Sequence, residues 1–151
     1  MAERLYLDTS VPSAYFDDRR AERQQQTHHF WSDALPEYDV FVSDVTVREL
    51  AATPDAARRR QLLDLVRPFS FVAVTKPVKL LAELFLEDTL VPIAKVEDAY
   101  HLAIAMVEGM DYLVSWNFDD MVNVKTKRLF PMLCAKHGYL KHLMILSPLE
   151  F

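Results

Sequence analysis

Short apolar runs alternate along the chain with longer stretches in which apolar residues recur at helical spacing. The short runs are rich in β-branched and aromatic residues, and they predict strands at 4–8, 38–44, 69–75, 111–116 and 142–147. The longer stretches predict helices over 22–35, 45–53, 76–88, 95–109 and 124–138. Alternation of this kind favours a mostly parallel sheet with helices on both faces, which is an α/β fold.

Proline and glycine mark several of the predicted helix ends. Thr53 followed by Pro54 is typical of a helix start, because a hydroxyl N-cap precedes a proline at the first helical position. The helix that opens there is expected to place the arginines of 58–60 largely outward. Gly109 is a candidate C-cap, and Pro131 predicts a bend or break in the helix over 124–138.

Composition and charge narrow the class of protein. Two glycines among 151 residues argue against a turn-rich β-sandwich and against a Gly-rich phosphate-binding loop. The single cysteine, Cys134, excludes an internal disulfide framework and suits a reducing compartment. No secretory signal and no membrane-spanning run are visible, so we expect one cytoplasmic domain, residues 1–151, without membrane association. The net charge of −5 counts mildly against nucleic-acid binding, unless the acids hold a cation and basic residues cluster elsewhere.

Acidic and amide side chains stand close to the ends of predicted strands. Asp8 closes the first strand, Asn117 directly follows the strand at 111–116, and Glu49 lies on the short helix after the second strand. Asp98 lies in the first turn of a largely apolar helix. Because ligands of parallel α/β sheets bind beyond the carboxyl ends of the strands, these side chains could converge on one cleft.

Each of these residues also has an ordinary structural explanation. Asp8, with Thr9 and Ser10, could cap the following helix. Glu49 alone is typical of a solvated helix residue, and Asp98 could be a first-turn acid favoured by the helix dipole. Carboxylates gathered in one cleft would repel each other unless a cation neutralised them. Their hard oxygen atoms favour Mg²⁺ or Mn²⁺, ions that commonly serve phosphodiester hydrolysis.

Four segments together resemble the successive motifs of the PIN-domain nucleases. They are "LYLDTSV" (5–11), "VSDVTVREL" (42–50), "VEDAYHLAIA" (96–105) and "DYLVSWNFDDMVN" (111–123). The closing "HGYLKHLMILSPLEF" (137–151) is similar to the end of a bacterial subgroup related to the VapC-type toxins. The resemblance implies a three-layer α/β/α sandwich with a mostly parallel sheet and Mg²⁺- or Mn²⁺-dependent cleavage of RNA.

The resemblance also assigns roles to individual residues. It implies that Asp8, Glu49 and Asp98 are catalytic, metal-ligating acids, with Asn117 at the place of a fourth acid. An amide oxygen can bind a metal or its water, but it carries no charge, so the number of metal ions stays open. Thr9, Ser10 and Ser115 could orient water or the ligating carboxylates, although turn chemistry explains isolated hydroxyls equally well, and Asp119 or Asp120 could compensate for the missing charge at Asn117. His101, one turn after Asp98, could hydrogen-bond into the site, but it is interpreted as a satisfied core histidine rather than a catalytic residue.

Basic and aromatic residues suggest where partners could bind. Arginines 19, 20 and 23, the run 58–60, and Lys125 with Lys127 and Arg128 are each typical of a solvated helix face. The last group follows the Asn117 loop closely enough to bind RNA phosphates at the rim of the cleft. Tyr15, Phe30 and Trp31 are expected in the core. They could instead form an apolar groove between the early helices, and in toxin relatives such a groove receives the antitoxin, usually in a dimeric toxin. The resemblance therefore implies an RNA substrate, an antitoxin and a homodimer.

Three functions can be weighed from these residues. The leading hypothesis is a metal-dependent endoribonuclease, the toxin of a type II toxin–antitoxin pair. A phosphatase of the haloacid-dehalogenase type also begins with an aspartate after its first strand, but it needs a second aspartate where this chain has Ser10. A non-catalytic PIN-fold binding module is the alternative, favoured by Asn117 and opposed by the three retained acids.

Overall fold

The computed structural model describes residues 2–151 of the chain. Its strands are β1 (Arg4–Leu7), β2 (Asp39–Ser43), β3 (Ser70–Val72), β4 (Tyr112–Val114) and β5 (Met144–Leu146). Its α-helices are α1 (Ser10–Tyr15), α2 (Ala21–Asp33), α3 (Asp44–Ala51), α4 (Ala56–Val66), α5 (Lys76–Glu87), α6 (Val96–Val107) and α7 (Val124–Lys136). Short 3₁₀ turns lie at Asp18–Arg20, Leu35–Glu37 and Pro148–Glu150.

The five strands form one parallel sheet in the order β3-β2-β1-β4-β5. In the central strand β1, Leu5 lies opposite Val40 of β2 on one side and Tyr112 of β4 on the other. The chain builds the half β1-β2-β3 first and then crosses to β4 and β5. The strand order therefore reverses between β1 and β4, which is where ligands of such sheets usually bind.

Alternate residues of the strands point to opposite faces of the sheet, and each face carries its own apolar cluster. Leu5 and Leu7 face one cluster, which includes Val11 of α1, Phe30 of α2 and Leu62 of α4. On the opposite face, Tyr6 packs in a cluster with residues of α5, α6 and α7, among them Phe85, Leu102 and Leu133. This arrangement confirms the predicted α/β/α sandwich, with a sheet that is entirely parallel.

Helix α6 brings polar residues into the interior at the carboxyl edge of the sheet. Its residues from Ala99 to Met106 are buried with the exception of Tyr100, and this apolar packing holds the helix against the sheet. Asp98 and His101 lie on the same helix, one turn apart, and both are buried. Packing of the apolar residues therefore determines where these two polar side chains lie.

Two predicted helix boundaries are wrong. The helix after Thr53 begins later, because the side chain of Asp55 accepts hydrogen bonds from the backbone N–H groups of Ala57 and Arg58 and is the N-cap. Helix α7 continues through Pro131 instead of breaking there. Burial of Leu133 on α7 after the proline supports the continued helix, although a proline costs it a hydrogen bond.

Other elements differ from the predictions in extent. The strands at 69–75 and 111–116 are observed only over Ser70–Val72 and Tyr112–Val114, so residues 115–117 form a loop beyond the sheet. The short helix α1 directly after Asp8 was not delimited by the sequence pattern. No helix among residues 2–151 is both long and apolar enough to span a membrane.

Candidate active site

The candidate site lies at the carboxyl ends of β1 and β4, where the strand order reverses. Asp8 follows the last residue of β1, and its backbone N–H donates to the carbonyl of Val114, the last residue of β4, at 3.2 Å. Ser115 follows β4 directly. The parallel pairing of the two strands therefore places Asp8 beside the segment that carries Ser115 and Asn117.

Asp8 is buried and held by hydroxyl groups. Its Oδ1 accepts hydrogen bonds from the backbone N–H of Ser10 at 3.0 Å and from the Ser10 hydroxyl at 2.5 Å. Its Oδ2 accepts from the Ser115 hydroxyl at 2.5 Å. Burial raises the pKa of Asp8, and this effect outweighs the opposing influence of His101 and of the hydroxyl groups. The bond from the Ser10 N–H closes a local turn, but the N-cap residue of α1 is Thr9 and no side chain caps this helix, so the capping explanation for Asp8 is not confirmed.

A second group of polar side chains surrounds Asp98. The Asn117 side-chain amide donates to Asp98 Oδ2 at 3.3 Å and to Asp120 Oδ2 at 3.4 Å. The Asn117 carbonyl oxygen accepts from the backbone N–H of Asp120 at 3.1 Å. Lys95 Nζ lies 3.4 Å from Asp120 Oδ2. Asn117 thus bridges two carboxylates as a donor, which an aspartate at this position could not do.

The electrostatics connect Asp98 to Asp8. Burial, followed by repulsion from Asp8 and Asp120, raises the pKa of Asp98 from 3.8 to about 6, although His101 and Lys95 oppose the increase. Within the fold, ionised Asp98 is therefore destabilised by its own carboxylate neighbours. A bound cation would relieve this repulsion, as expected for carboxylates that share an ion.

Glu49 lies in a neighbouring hydrogen-bond network rather than in contact with Asp98. Its Oε1 accepts from the Thr9 hydroxyl at 2.8 Å and lies 3.0 Å from His101 Nε2. The other ring nitrogen of His101 is 2.5 Å from the Tyr6 hydroxyl, which also hydrogen-bonds Ser43 at 2.8 Å. Burial works against ionisation of Glu49, but the bonds from His101 and Thr9 prevail and lower its pKa.

The carboxylate oxygen atoms of the site are suitable ligands for a hard divalent cation. They do not surround a cation completely. Among residues 2–151, no group of three His, Cys, Asp or Glu side chains is arranged to hold a metal ion. Mg²⁺ usually keeps several water ligands and is bound through one or two carboxylates. Each carboxylate of Asp8 and Asp98 retains lone pairs beyond those in its hydrogen bonds. The pair therefore suits a partly hydrated ion, and Glu49 is connected to it through His101, which contacts Glu49 and favours ionisation of both aspartates.

The remaining predicted site residues differ in whether they contact the acids of the site. Asp120 joins the group around Asp98, whereas Asp119 is exposed and its backbone carbonyl accepts from Asn123. Lys125 and Arg128 are exposed on α7. Lys127 forms a salt bridge with Glu150 at 2.9 Å, so its charge is neutralised by the chain itself.

His101 and Lys95 contact residues of the candidate site, although neither was among its predicted residues. His101 is a buried, hydrogen-bonded histidine as predicted, yet its partners are Glu49 and Tyr6 of the candidate site. Its position one turn after Asp98 on the same helix is the signal that connects it to the site. Lys95 precedes α6 as its N-cap residue and offered no comparable signal.

The aromatic residues near the start of the chain pack largely as a core. Phe30 is buried, and its ring lies 5.1 Å from that of Phe151. Tyr15 and Trp31 are half-buried and stack edge to face at 5.2 Å. Beside them, α2 and the C-terminal residues Pro148, Leu149 and Phe151 border a recess of about 830 Å³. This recess contains none of the acids of the candidate site, so its size alone does not make it the reactive centre.

Comparisons with known proteins agree with this fold. The PIN-domain family model matches residues 5–124. No curated protein shows a significant match to the chain. Among solved structures, VapC20 of Mycobacterium tuberculosis, described as a sarcin–ricin-loop-cleaving toxin, has a TM-score of 0.62 at 16% identity, covering 91% of this chain and 98% of that one.

Two further solved structures come from complexes. VapBC2 of Rickettsia felis, bound to a DNA fragment from its promoter, gives a TM-score of 0.59 at 14% identity and covers 95% of this chain and 98% of its own. VapBC-1 of nontypeable Haemophilus influenzae gives 0.62 at 16% identity, covering 97% and 98%. At these identities the likeness concerns the fold.

Proposed function

The chain belongs to the PIN-domain family, and from this premise we propose that it is a divalent-metal-dependent endoribonuclease, the toxin of a type II toxin–antitoxin pair. The observation that carries the proposal is the coupling of Asp8 and Asp98 at the point where the strand order reverses. Repulsion between these acids contributes to the raised pKa of Asp98, about 6. Such a shift at a cleft is a common mark of a functional site.

The structural neighbours support the choice of substrate and partner. One of them is named as a toxin that cleaves the sarcin–ricin loop, and two are toxin–antitoxin complexes. On this basis we propose RNA as the substrate and an antitoxin protein as the partner. We further propose that residues 1–151 act as one domain, that the protein is cytoplasmic without membrane association, and that it forms a homodimer.

The proposed division of labour follows from the contacts in the site. Asp8 and Asp98 would hold Mg²⁺ or Mn²⁺, with Asn117 and Glu49 as further candidate ligands. The cation, when bound, activates a water molecule and stabilises negative charge on the attacked phosphate. The hydroxyls of Ser10 and Ser115 fix the orientation of the Asp8 carboxylate. Asp120, bonded to Asn117, adds negative charge beside Asp98.

His101 and Thr9 have a positioning role in this proposal. Their bonds to Glu49 Oε1 keep that carboxylate ionised and restrict its orientation. Tyr6, bonded to the other ring nitrogen of His101, restricts the rotation of the imidazole in turn. The site therefore keeps the negative charge of Glu49 beside His101 at neutral pH.

Cleavage of RNA in the presence of Mn²⁺ tests the proposal. We expect the natural chain to cleave, and Asp98→Asn to lose more than about 100-fold in rate, because loss of a ligand should exceed the 10- to 100-fold cost of an outer-shell change. The matched control is Glu97→Gln, which removes an exposed charge from the same helical turn and should cleave normally. Equal cleavage by the natural chain and Asp98→Asn would point to a contaminating nuclease and contradict the proposal.

A non-catalytic binding module is the second candidate, and two observations favour it. Asn117 stands where the family usually has a fourth acid, and no three acidic or histidine side chains among residues 2–151 are preassembled around an ion. A module of this kind would show neither Mn²⁺ binding that depends on Asp98 nor RNA cleavage. Binding of an antitoxin without either property would establish the module instead of the enzyme.

A further inference from the structure

An arginine lies over two aromatic rings beside the acids of the candidate site. The guanidinium carbon of Arg23, on α2, is 4.9 Å from the ring centre of Trp116 and 5.8 Å from that of Phe118. The two aromatic rings meet edge to face with their centres 6.0 Å apart. We refer to Arg23, Trp116 and Phe118 together as the aromatic stack. The sequence alone predicted a solvated helix face for Arg23, and this packing corrects that expectation.

The aromatic stack has a fixed base and an open edge. Trp116 is buried, and its indole N–H donates to the Thr27 hydroxyl at 3.0 Å. Phe118 is 40% exposed although it is a large apolar side chain. With Arg20, the stack borders a recess of about 460 Å³. One rigid ring therefore supports a second ring that remains available to a ligand.

The positive charge at the aromatic stack is not neutralised by a salt bridge. Within residues 2–151, neither Arg20 nor Arg23 forms one, and the nearby Asp17 is bound to Arg19 at 2.9 Å. Burial, with a further contribution from Arg20, lowers the pKa of Arg23. Glu22 also borders the recess and is the acid that faces it. Two arginines remain for an anionic ligand in a chain whose net charge is −5.

Direct hydrogen bonds connect the aromatic stack to the acids. The backbone N–H of Trp116 donates to the Ser10 hydroxyl at 2.8 Å, and that hydroxyl donates to Asp8. Asn117, which bonds Asp98, lies between Trp116 and Phe118 in the sequence. A ligand on Phe118 would therefore lie one residue away from the side chain that contacts Asp98.

We propose that the aromatic stack and Arg20 form a subsite for one nucleotide of single-stranded RNA, with its base stacked on Phe118 and its phosphate beside Arg20 and Arg23. The inference rests on the proposed function, because the subsite would bind the part of the RNA next to the phosphate that is cleaved. Single-stranded RNA is recognised mainly by stacking of unpaired bases on aromatic rings and guanidinium planes. The arginines also supply local attraction for a polyanion that the acids Asp8 and Asp98 would otherwise repel.

Fluorescence anisotropy with a labelled oligouridylate tests the subsite. All proteins carry Asp98→Asn, so that binding is measured without cleavage, and thermal melting verifies that each variant is folded. We expect Phe118→Ala to weaken binding about 5- to 100-fold, which is the range for loss of one stacked base. Phe118→Tyr should retain binding, since it keeps the ring. Phe71→Ala, which removes another exposed phenylalanine at the β3 edge of the sheet, should bind normally.

A charge control and a second probe separate stacking from simple attraction. Arg23→Gln should weaken binding and reduce its salt dependence, whereas Arg60→Gln, on the exposed surface of α4, should bind normally. On an abasic ribose-phosphate oligomer, Phe118→Ala should bind as well as its parent. Equal binding of oligouridylate by Phe118→Ala and Phe71→Ala would overturn the subsite, and so would an equal loss on the abasic oligomer.

These results are distinguishable from failure of the proposed function. If the chain with all its acids cleaves RNA but Phe118→Ala binds oligouridylate normally, the enzyme stands and the subsite is wrong. If binding depends on Phe118 but no Mn²⁺-dependent cleavage occurs, the subsite stands on a protein that is not a nuclease.

Discussion

Replacing Asp98 by asparagine should stabilise the folded protein in the absence of divalent cations. The pKa of Asp98 is about 6 in the fold against 3.8 ordinarily, so the folded state holds this proton more tightly than the unfolded chain does. By linkage, the folded protein loses stability as the pH rises from about 4 to about 6, and the loss persists at higher pH. Asparagine cannot ionise, so Asp98→Asn should not show this loss of stability.

The magnitude follows from the same two pKa values. A difference of about 2 corresponds to about 3 kcal/mol at about 1.4 kcal/mol per pH unit. Screening by solvent at the edge of the cleft reduces this value, and asparagine also forfeits about 0.3–1 kcal/mol of favourable interaction with the dipole of α6. We therefore expect a net gain of about 1–2 kcal/mol at pH 7.5, or about 2–8 °C in melting temperature for a domain of this size.

Thermal and urea unfolding at pH 7.5 and pH 4, both with a chelator, measure the effect. The gain should be present at pH 7.5 and nearly absent at pH 4, where Asp98 is protonated in the folded state. Glu97→Gln, the control from the same turn of α6, should show no gain at either pH. Equal or lower stability of Asp98→Asn at pH 7.5 would refute the conclusion that Asp98 is destabilised by burial and by its carboxylate neighbours.

Three further substitutions have defined outcomes. Asn117→Asp should lower stability in chelator by about 1–3 kcal/mol, because a donor between two carboxylates becomes a third negative charge, and it should increase stabilisation by Mn²⁺ in thermal melts. Tyr6→Phe should cost about 1–3 kcal/mol in urea unfolding, since the buried ring nitrogen of His101 loses its partner; a cost near zero would contradict the buried network. Asp55→Ala should cost about 1 kcal/mol through loss of the N-cap of α4, whereas Thr53→Ala should cost little.

The sequence predicted the sheet and the location of Asp8 because both depend on local pattern. Apolar runs predicted the five strands, and the rule for parallel sheets predicted which end of β1 matters. Asp98 could be anticipated because burying an unpaired carboxylate is unfavourable, so a carboxylate on an almost wholly apolar helix is expected to have a partner or a metal ion. These features require only the order of residues along one element.

The arrangement of Glu49 could not be predicted in the same way. Its bonds to Thr9 and His101 connect α3 to the start of α1 and to α6, and Tyr6 in that network has the pattern of an ordinary core residue of β1. Side-chain pairing between distant segments depends on packing that a single sequence does not reveal.

Competition between local sequence signals and the packing of the chain explains the wrong predictions about the helices. Thr53 and Asp55 are both good N-cap residues, and only the path of the chain decides that Asp55 is used. Pro131 stays within α7 although proline usually ends a helix, with Phe130 and Leu133 buried on either side of it. Lys127 pairs with Glu150 through the fold of the C-terminal turn, which the sequence does not reveal, and its contact with RNA stays a prediction.

Calorimetric titration with Mn²⁺ tests most directly whether Asp8 and Asp98 share a divalent cation. We expect the natural chain and Glu97→Gln to bind Mn²⁺ with millimolar or tighter affinity, and Asp8→Asn and Asp98→Asn each to abolish that binding. Identical binding isotherms for all four proteins, or no binding by the natural chain, would contradict the shared cation.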